Sequence, residues 1–177
     1  MIYVLLANGF EETEAIEPID IMRRAKMAVA TVGLDDILVK GAHGIVVEAD
    51  ILIDDVKKTD MEMLMLPGGA GHAVLDADER VQALIDYAYE KDLYVSAICA
   101  SPSILGKKGL LKGKKATCFP GFEKYLDGAE VVEDKAVCDG KIITGKGAGA
   151  AGAFGLKIVE VLRGKALSDE LKREMQY

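Results

Sequence analysis

No stretch of the chain supplies the roughly 18 consecutive apolar residues that a membrane-spanning helix needs. Runs such as IYVLLA and MEMLML stop far short of it. Positive charge is also scarce, with 22 Lys and Arg against 29 Asp and Glu, a net charge of −7. That balance leaves no electrostatic footprint for nucleic acid, and the short basic stretch GKKGLLKGKK at 106 to 115 reads as a solvated face. Cysteine is sparse and odd in number: three residues, with no C-x-x-C pair and no histidine at ligand spacing. A disulfide framework and a zinc site are both excluded on that pattern, and no metal is expected. Repeats, low-complexity tracts and a charged, cleavable leader are missing too. The expectation is a soluble cytoplasmic protein with free thiols and neither membrane nor nucleic acid among its partners.

What is present is a chain of 177 residues, half of them hydrophobic, enough for one well-buried core. A single domain over residues 1–177 is expected. IYVLLA (2 to 7), closed by Asn8-Gly9, has the continuous apolar character of a strand buried on both faces. Ala15, Ile19 and Met22 then share a helical face, with acidic residues first and Arg23, Arg24 and Lys26 last, as the helix dipole favours. Pro18 must sit in an early turn of that helix or bend it. AVATVGL (28 to 34) reads as a second strand, and ILVKGAHGIVVEAD as a hairpin around Gly41 to Gly44.

MEMLMLPGG gives another buried strand and a turn, Asp78 to Glu90 a helix, and LYVSAIC a further strand. A short strand near KKATC, a helical turn at GFEKYL and strand material in AEVVEDKAVCDGKIITG follow. One closing helix places Phe154, Ile158, Val161 and Leu162 on a face. Alternating strands and helices, with strands too apolar to be one-sided, predict an α/β flavodoxin-like sandwich: a mainly parallel sheet with helices on both faces. In such sheets functional groups gather beyond the strands' carboxyl ends. NGFEETE, PGGAGH and CASP are therefore brought together as suspects.

Cys99 ends a strand and precedes Ser101-Pro102, a pair suited to N-cap and first helical position. Partial positive charge there favours a thiolate, and comparable positions take a thiol from about 8.5 to roughly 3.5–7.5. A buried, inert cysteine is the competing account. Gly68 and Gly69 can form a plain turn, or can let backbone N–H groups approach an oxyanion closely. Glu11, Glu12 and Glu14 suit a helix N-terminus, yet one of them pointing at the thiol would have a raised pKa and could relay protons. The residues alone do not choose among the three. His43 is expected to be exposed in the hairpin turn, and His72 to be a surface loop residue able to reach the site. Gly147, Gly149 and Gly152 spell G-x-G-x-x-G, but too little chain follows for a dinucleotide fold. They read as close helix packing and pocket wall, and no cofactor is expected.

LANGFEETEAIEPIDIMRRA, LMLPGGAG, AICASPSIL and TGKGAGAAGAFGLKIVEVL together resemble the DJ/ThiJ/PfpI superfamily, in the branch near the Parkinson-disease protein deglycase. The resemblance runs in order from first strand to last helix. It implies a homodimer, a reactive, oxidation-prone Cys99 at a nucleophile elbow, Glu14 as its acidic partner, and oxyanion amides from Gly69 and Ala100. The chain departs from the pattern at Phe119, where well-studied members carry histidine, and at Ala100, where protease-like members do. Peptidase activity is accordingly not expected.

The leading expectation is a cysteine-dependent, cofactor-independent stress-response enzyme acting on a small reactive aldehyde such as methylglyoxal, or on a glycated substrate. A redox sensor or chaperone working through oxidation of Cys99, with Cys118 as a resolving thiol, is the alternative. Thiamine-precursor (thiazole) metabolism rests on the naming of relatives only.

Overall fold

The run Ile2–Leu6 forms strand β1, and all five of its residues are buried because both of its faces are covered. Tyr3 and Leu5 enter one core layer, while Ile2, Val4 and Leu6 enter the other. The computed structural model describes all 177 residues. Its strands continue as β2 (Val29–Gly33), β3 (Leu38–Lys40), β4 (Val46–Glu48), β5 (Ile51–Leu52) and β6 (Met63–Leu66). They end with β7 (Tyr94–Ile98), β8 (Lys115–Ala116), β9 (Glu130–Val131), β10 (Ala136–Asp139) and β11 (Ile142–Gly145). The helices are α1 (Glu12–Arg24), α2 (His72–Ala77), α3 (Glu79–Glu90), α4 (Pro102–Lys107), α5 (Ala151–Arg163) and α6 (Lys165–Glu174).

The main sheet runs in the order β10-β11-β7-β6-β1-β2-β5. Every pairing in it is parallel except β10 with β11. Helices α1, α5 and α6 cover one face through Ile19, Met22, Phe154, Ile158 and Leu171. Helices α3 and α4 cover the other through Val81, Leu84, Ile85, Ile104 and Leu105. The expected flavodoxin-like sandwich is what the chain forms. No helix is long and apolar enough to cross a membrane.

Because β1 pairs with both β2 and β6, the strand order reverses between β1 and β6. That is where an open parallel sheet leaves a crevice at its carboxyl edge. The loops after β1, β6 and β7 all open into it.

Several local features differ from the sequence expectation. The closing helix is two helices, α5 and α6, parted at Gly164, whose φ of +99° an α-helix cannot include. The short α2 intervenes before α3, and Asp78 caps α3 by accepting from the N–H groups of Arg80 and Val81. Pro18 lies inside α1 and leaves the Glu14 carbonyl without its ordinary i+4 donor. The glycines of the 147 to 152 motif also separate in role. A β-carbon on Gly152 would lie 2.6 Å from the Tyr177 hydroxyl, so this glycine admits the C-terminal residue. Gly147 faces the crevice.

Candidate active site

Cys99 follows β7 with a φ of +67°, a left-handed conformation that a non-glycine residue holds at a cost of about 1–3 kcal/mol. Its surroundings enforce the turn. The Cys99 N–H donates to the Gly145 carbonyl at 2.9 Å, and the Cys99 carbonyl accepts from the Phe119 N–H at 2.8 Å. The half-buried thiol therefore projects into the crevice from a fixed elbow.

Three loops close around it. The Glu11 N–H donates to the Gly68 carbonyl at 3.1 Å, and the Gly71 N–H to the Gly9 carbonyl at 2.9 Å. Gly69 adopts a φ of +80°, and a β-carbon there would lie 2.5 Å from the Glu11 nitrogen, so the approach of the two loops requires glycine. Ser101 Oγ donates to the Pro67 carbonyl at 2.5 Å and joins the third loop to the second. This bond corrects the expectation that Ser101 caps α4: its backbone is already helical and its side chain makes no cap bond.

Of the three glutamates, Glu14 is the one that faces the thiol. It is 1% exposed, accepts the Gly68 N–H through Oε2 at 3.0 Å, and lies beside Cys99 across Gly68. Glu12 turns to the hairpin between β3 and β4, where its oxygens accept the His43 N–H at 2.8 Å and approach its ring nitrogen Nδ1 at 2.9 Å. Glu11 joins them to form a compact Glu11–Glu12–His43 group. Glu12 there is held at about 2: burial opposes its charge, but the His43 ring and the N–H groups of His43 and Ile45 outweigh it.

The electrostatics of the pair reverse one sequence expectation. Burial pushes the Glu14 carboxyl up from 4.5 to about 7; Glu11 adds to the rise, while bonds from Cys99 and the Gly68 N–H oppose it. Burial likewise pushes the Cys99 thiol up to about 12, reinforced by the charge of Glu14 and the hydrogen bond to it. The backbone N–H groups of Gly69 and Ala100 pull the other way without prevailing. The arrangement is a thiol beside a carboxylate that titrates near neutrality, the properties of a nucleophile with a general base.

The remaining candidates fall into place around this pair. His43 is exposed, as expected, yet bonded to Glu12. His72 begins α2, with Nδ1 2.8 Å from the Gly69 carbonyl and its ring edge-on to Phe122. It braces the residue whose N–H meets the sulfur, a contact that local sequence did not disclose. Cys118 is buried and packs into the core layer opposite to the one Cys99 touches. Phe119 is 47% exposed and lies against Gly147, where a β-carbon would sit 3.3 Å from its ring.

A family model described as the DJ-1/PfpI family matches residues 1–161. The Arabidopsis thaliana Protein DJ-1 homolog B is 35% identical over 175 residues, which is 97% of this chain. The chain spans 40% of that relative's length. A Caenorhabditis elegans protein named glutathione-independent glyoxalase DJR-1.2 is 30% identical over 167 residues, covering 93% of this chain and 89% of the relative. Among solved structures, Toxoplasma gondii DJ-1 in an oxidized form superposes with a TM-score of 0.94 at 30% identity, covering 99% of this chain and 97% of that one.

Proposed function

The chain belongs to the DJ-1/PfpI family, and from that premise we propose that it is a stress-protective enzyme that converts small reactive carbonyls by way of Cys99. The observation that carries this reading is the buried Glu14 carboxyl set beside Cys99 across Gly68, whose N–H it accepts at 3.0 Å. The name of the nematode relative points to the same substrate class.

In this reading Cys99 Sγ attacks the aldehyde carbon of an α-oxoaldehyde while Glu14 takes the thiol proton. The C–S bond forms, the carbonyl π-electrons move to oxygen, and the Gly69 and Ala100 N–H groups hold the developing oxyanion. Protonation of that oxygen gives the hemithioacetal. Glu14, having returned the thiol proton to that oxygen, then removes the proton from the former aldehyde carbon and delivers it to the neighbouring ketone carbon by way of an enediol, while the hydroxyl proton of the first carbon passes to the oxygen of the second. The first carbon is oxidised to a thioester as the second is reduced to an alcohol, so no external oxidant or reductant enters. Water cleaves the thioester, releases a hydroxy acid and restores the thiol. A carboxyl near 7 is poised for both directions of transfer.

Lactate formation from methylglyoxal, compared between the wild type and Cys99→Ser, tests the proposal. Loss of at least about 10³-fold is expected. Turnover by Cys99→Ser at the wild-type rate would overturn it.

A second reading, oxidation of Cys99 as a sensor, draws support from the oxidized state of the Toxoplasma structure. We also propose that two copies associate. Ile16 of α1 and Leu38, Ile45 and Val46 of the β3–β4 hairpin are exposed apolar residues on neighbouring elements, a surface that suits a second copy. Sedimentation equilibrium at the dimer mass is the expected result.

A further inference from the structure

Next to the cysteine turn lies an open cleft of about 330 Å³ that Cys99 and Glu14 do not themselves line and that the carbonyl chemistry leaves unassigned. Phe119 and Pro120 form one wall, and Gly147, Ala148, Gly149 and Ala150 form the other. Both walls are fixed to the reacting pair. The Phe119 N–H is bonded to the Cys99 carbonyl at 2.8 Å, and a β-carbon on Gly147 would lie 3.9 Å from Glu14 Oε1. A substituent leaving the carbonyl on this side would meet an aromatic face and small apolar residues.

We infer that this cleft selects α-oxoaldehydes carrying an apolar, preferably aromatic, substituent, and that Phe119 is the residue that sets the preference. The inference rests on the carbonyl reading above and narrows its substrate class. The volume lies within the roughly 300–1,000 Å³ of small-molecule sites. Phe119 is 47% exposed, so its ring has apolar surface left to cover. The only polar side chains lining the cleft are Lys135 and Lys146, and Lys146 is paired with Glu133. Apart from Lys135, the lining offers no unpaired side-chain donor or acceptor to the hydroxyl groups of a sugar-derived carbonyl, and a site of this kind discriminates against what it leaves unpaired. A phenyl group would gain burial and an aromatic contact with Phe119.

The test compares kcat/KM for phenylglyoxal and methylglyoxal in the wild type, Phe119→Ala and Phe119→His, each ratio normalised to the reactivity of glutathione with the same aldehydes. The expected wild-type preference for phenylglyoxal is about tenfold, falling to about twofold or less in Phe119→Ala. A parallel arm needs no turnover: alkylation of Cys99 by phenacyl bromide and by iodoacetamide, followed by intact mass and normalised to glutathione. The aromatic reagent should lose its advantage in Phe119→Ala, while matched melting curves show that the variant is folded.

Turnover in the wild type with neither selectivity altered by Phe119→Ala would overturn the inference and leave the carbonyl reading standing. Absence of turnover together with Phe119-dependent alkylation selectivity would do the reverse. A wild-type preference for methylglyoxal over phenylglyoxal would also overturn the inference.

Discussion

Glu14 and Cys99 meet across the single backbone unit of Gly68. A β-carbon at position 68 would lie 2.4 Å from Glu14 Oε2 and 2.6 Å from Cys99 Cβ. The close approach of carboxyl and thiol therefore depends on a residue with no side chain, drawn from a third segment of the chain.

Gly68→Ala should consequently separate the pair. The added methyl cannot be accommodated without moving either the carboxyl or the thiol, and both belong to rigid elements. A displacement near 1 Å at a reacting group costs on the order of 100-fold in rate. Overpacking of a buried site costs about 1–3 kcal/mol. Methylglyoxal turnover and the denaturant midpoint measure the two effects, and both are expected to fall.

The fate of the thiol proton separates the role of Glu14 in titration from its role in turnover. Its negative charge and its hydrogen bond both help to hold the Cys99 thiol at about 12. Glu14→Gln removes the charge, so the thiol pKa should drop and alkylation by iodoacetamide at pH 8 should become at least several-fold faster. Carbonyl turnover should fall by about 10²–10⁴-fold, because the proton acceptor is gone. Opposite movements of the two rates are the expected outcome; a slower alkylation in Glu14→Gln would contradict the assigned direction of the shift.

The order of strands and the meeting of the three loops were legible in the sequence because each strand is an unbroken apolar run ending in a turn signal. β1, β6 and β7 announce themselves in IYVLLA, MEMLML and YVSAI, and the carboxyl-end rule for parallel sheets does the rest. The division of labour among the glutamates was not legible from the residues themselves. Glu12 and Glu14 are two positions apart on one helix, about 200° around its axis. One turns to the hairpin and the other to Cys99, contacts made by residues distant in sequence. The thiol pKa was misjudged for a related reason. A Ser-Pro pair shows where a helix starts, but not that it stops after six residues, nor that the thiol before it is buried next to a carboxyl, and burial above all raises it. Phe119 showed in the sequence as a departure from a family pattern; only the fold shows that its ring lines a cleft.

Ser101 offers a separate test of how the loops are held. Its hydroxyl is buried and donates to the Pro67 carbonyl at 2.5 Å, joining the cysteine turn to the Gly-Gly turn. Ser101→Ala leaves that carbonyl without its donor in a site closed to water, a loss of about 1–3 kcal/mol. The denaturant midpoint should fall with an unchanged m value, and kcat should drop as the Gly69 amide loses its register with the sulfur. An unaltered midpoint would show that the loops are held together without this bond.

The pH dependence of folding carries the signature of Glu14 most directly. The carboxyl is raised from 4.5 in the unfolded chain to about 7 in the folded protein, so between those values the native state holds more proton than the unfolded state. Stability from this group is then fully present below about 4.5, declines as pH rises to 7 and is flat beyond it. The decline is at most about 1.4 kcal/mol for each pH unit crossed. Glu14→Gln cannot titrate, so the stability difference, wild type minus variant, should fall by about 3 kcal/mol between pH 4.5 and 7.5. Taking the difference cancels other titrating groups, including the His43 imidazole, which Glu12 and Glu11 raise. Urea unfolding at half-unit pH steps measures the curve, and a difference that stays constant across this range would show that Glu14 is not held neutral by burial.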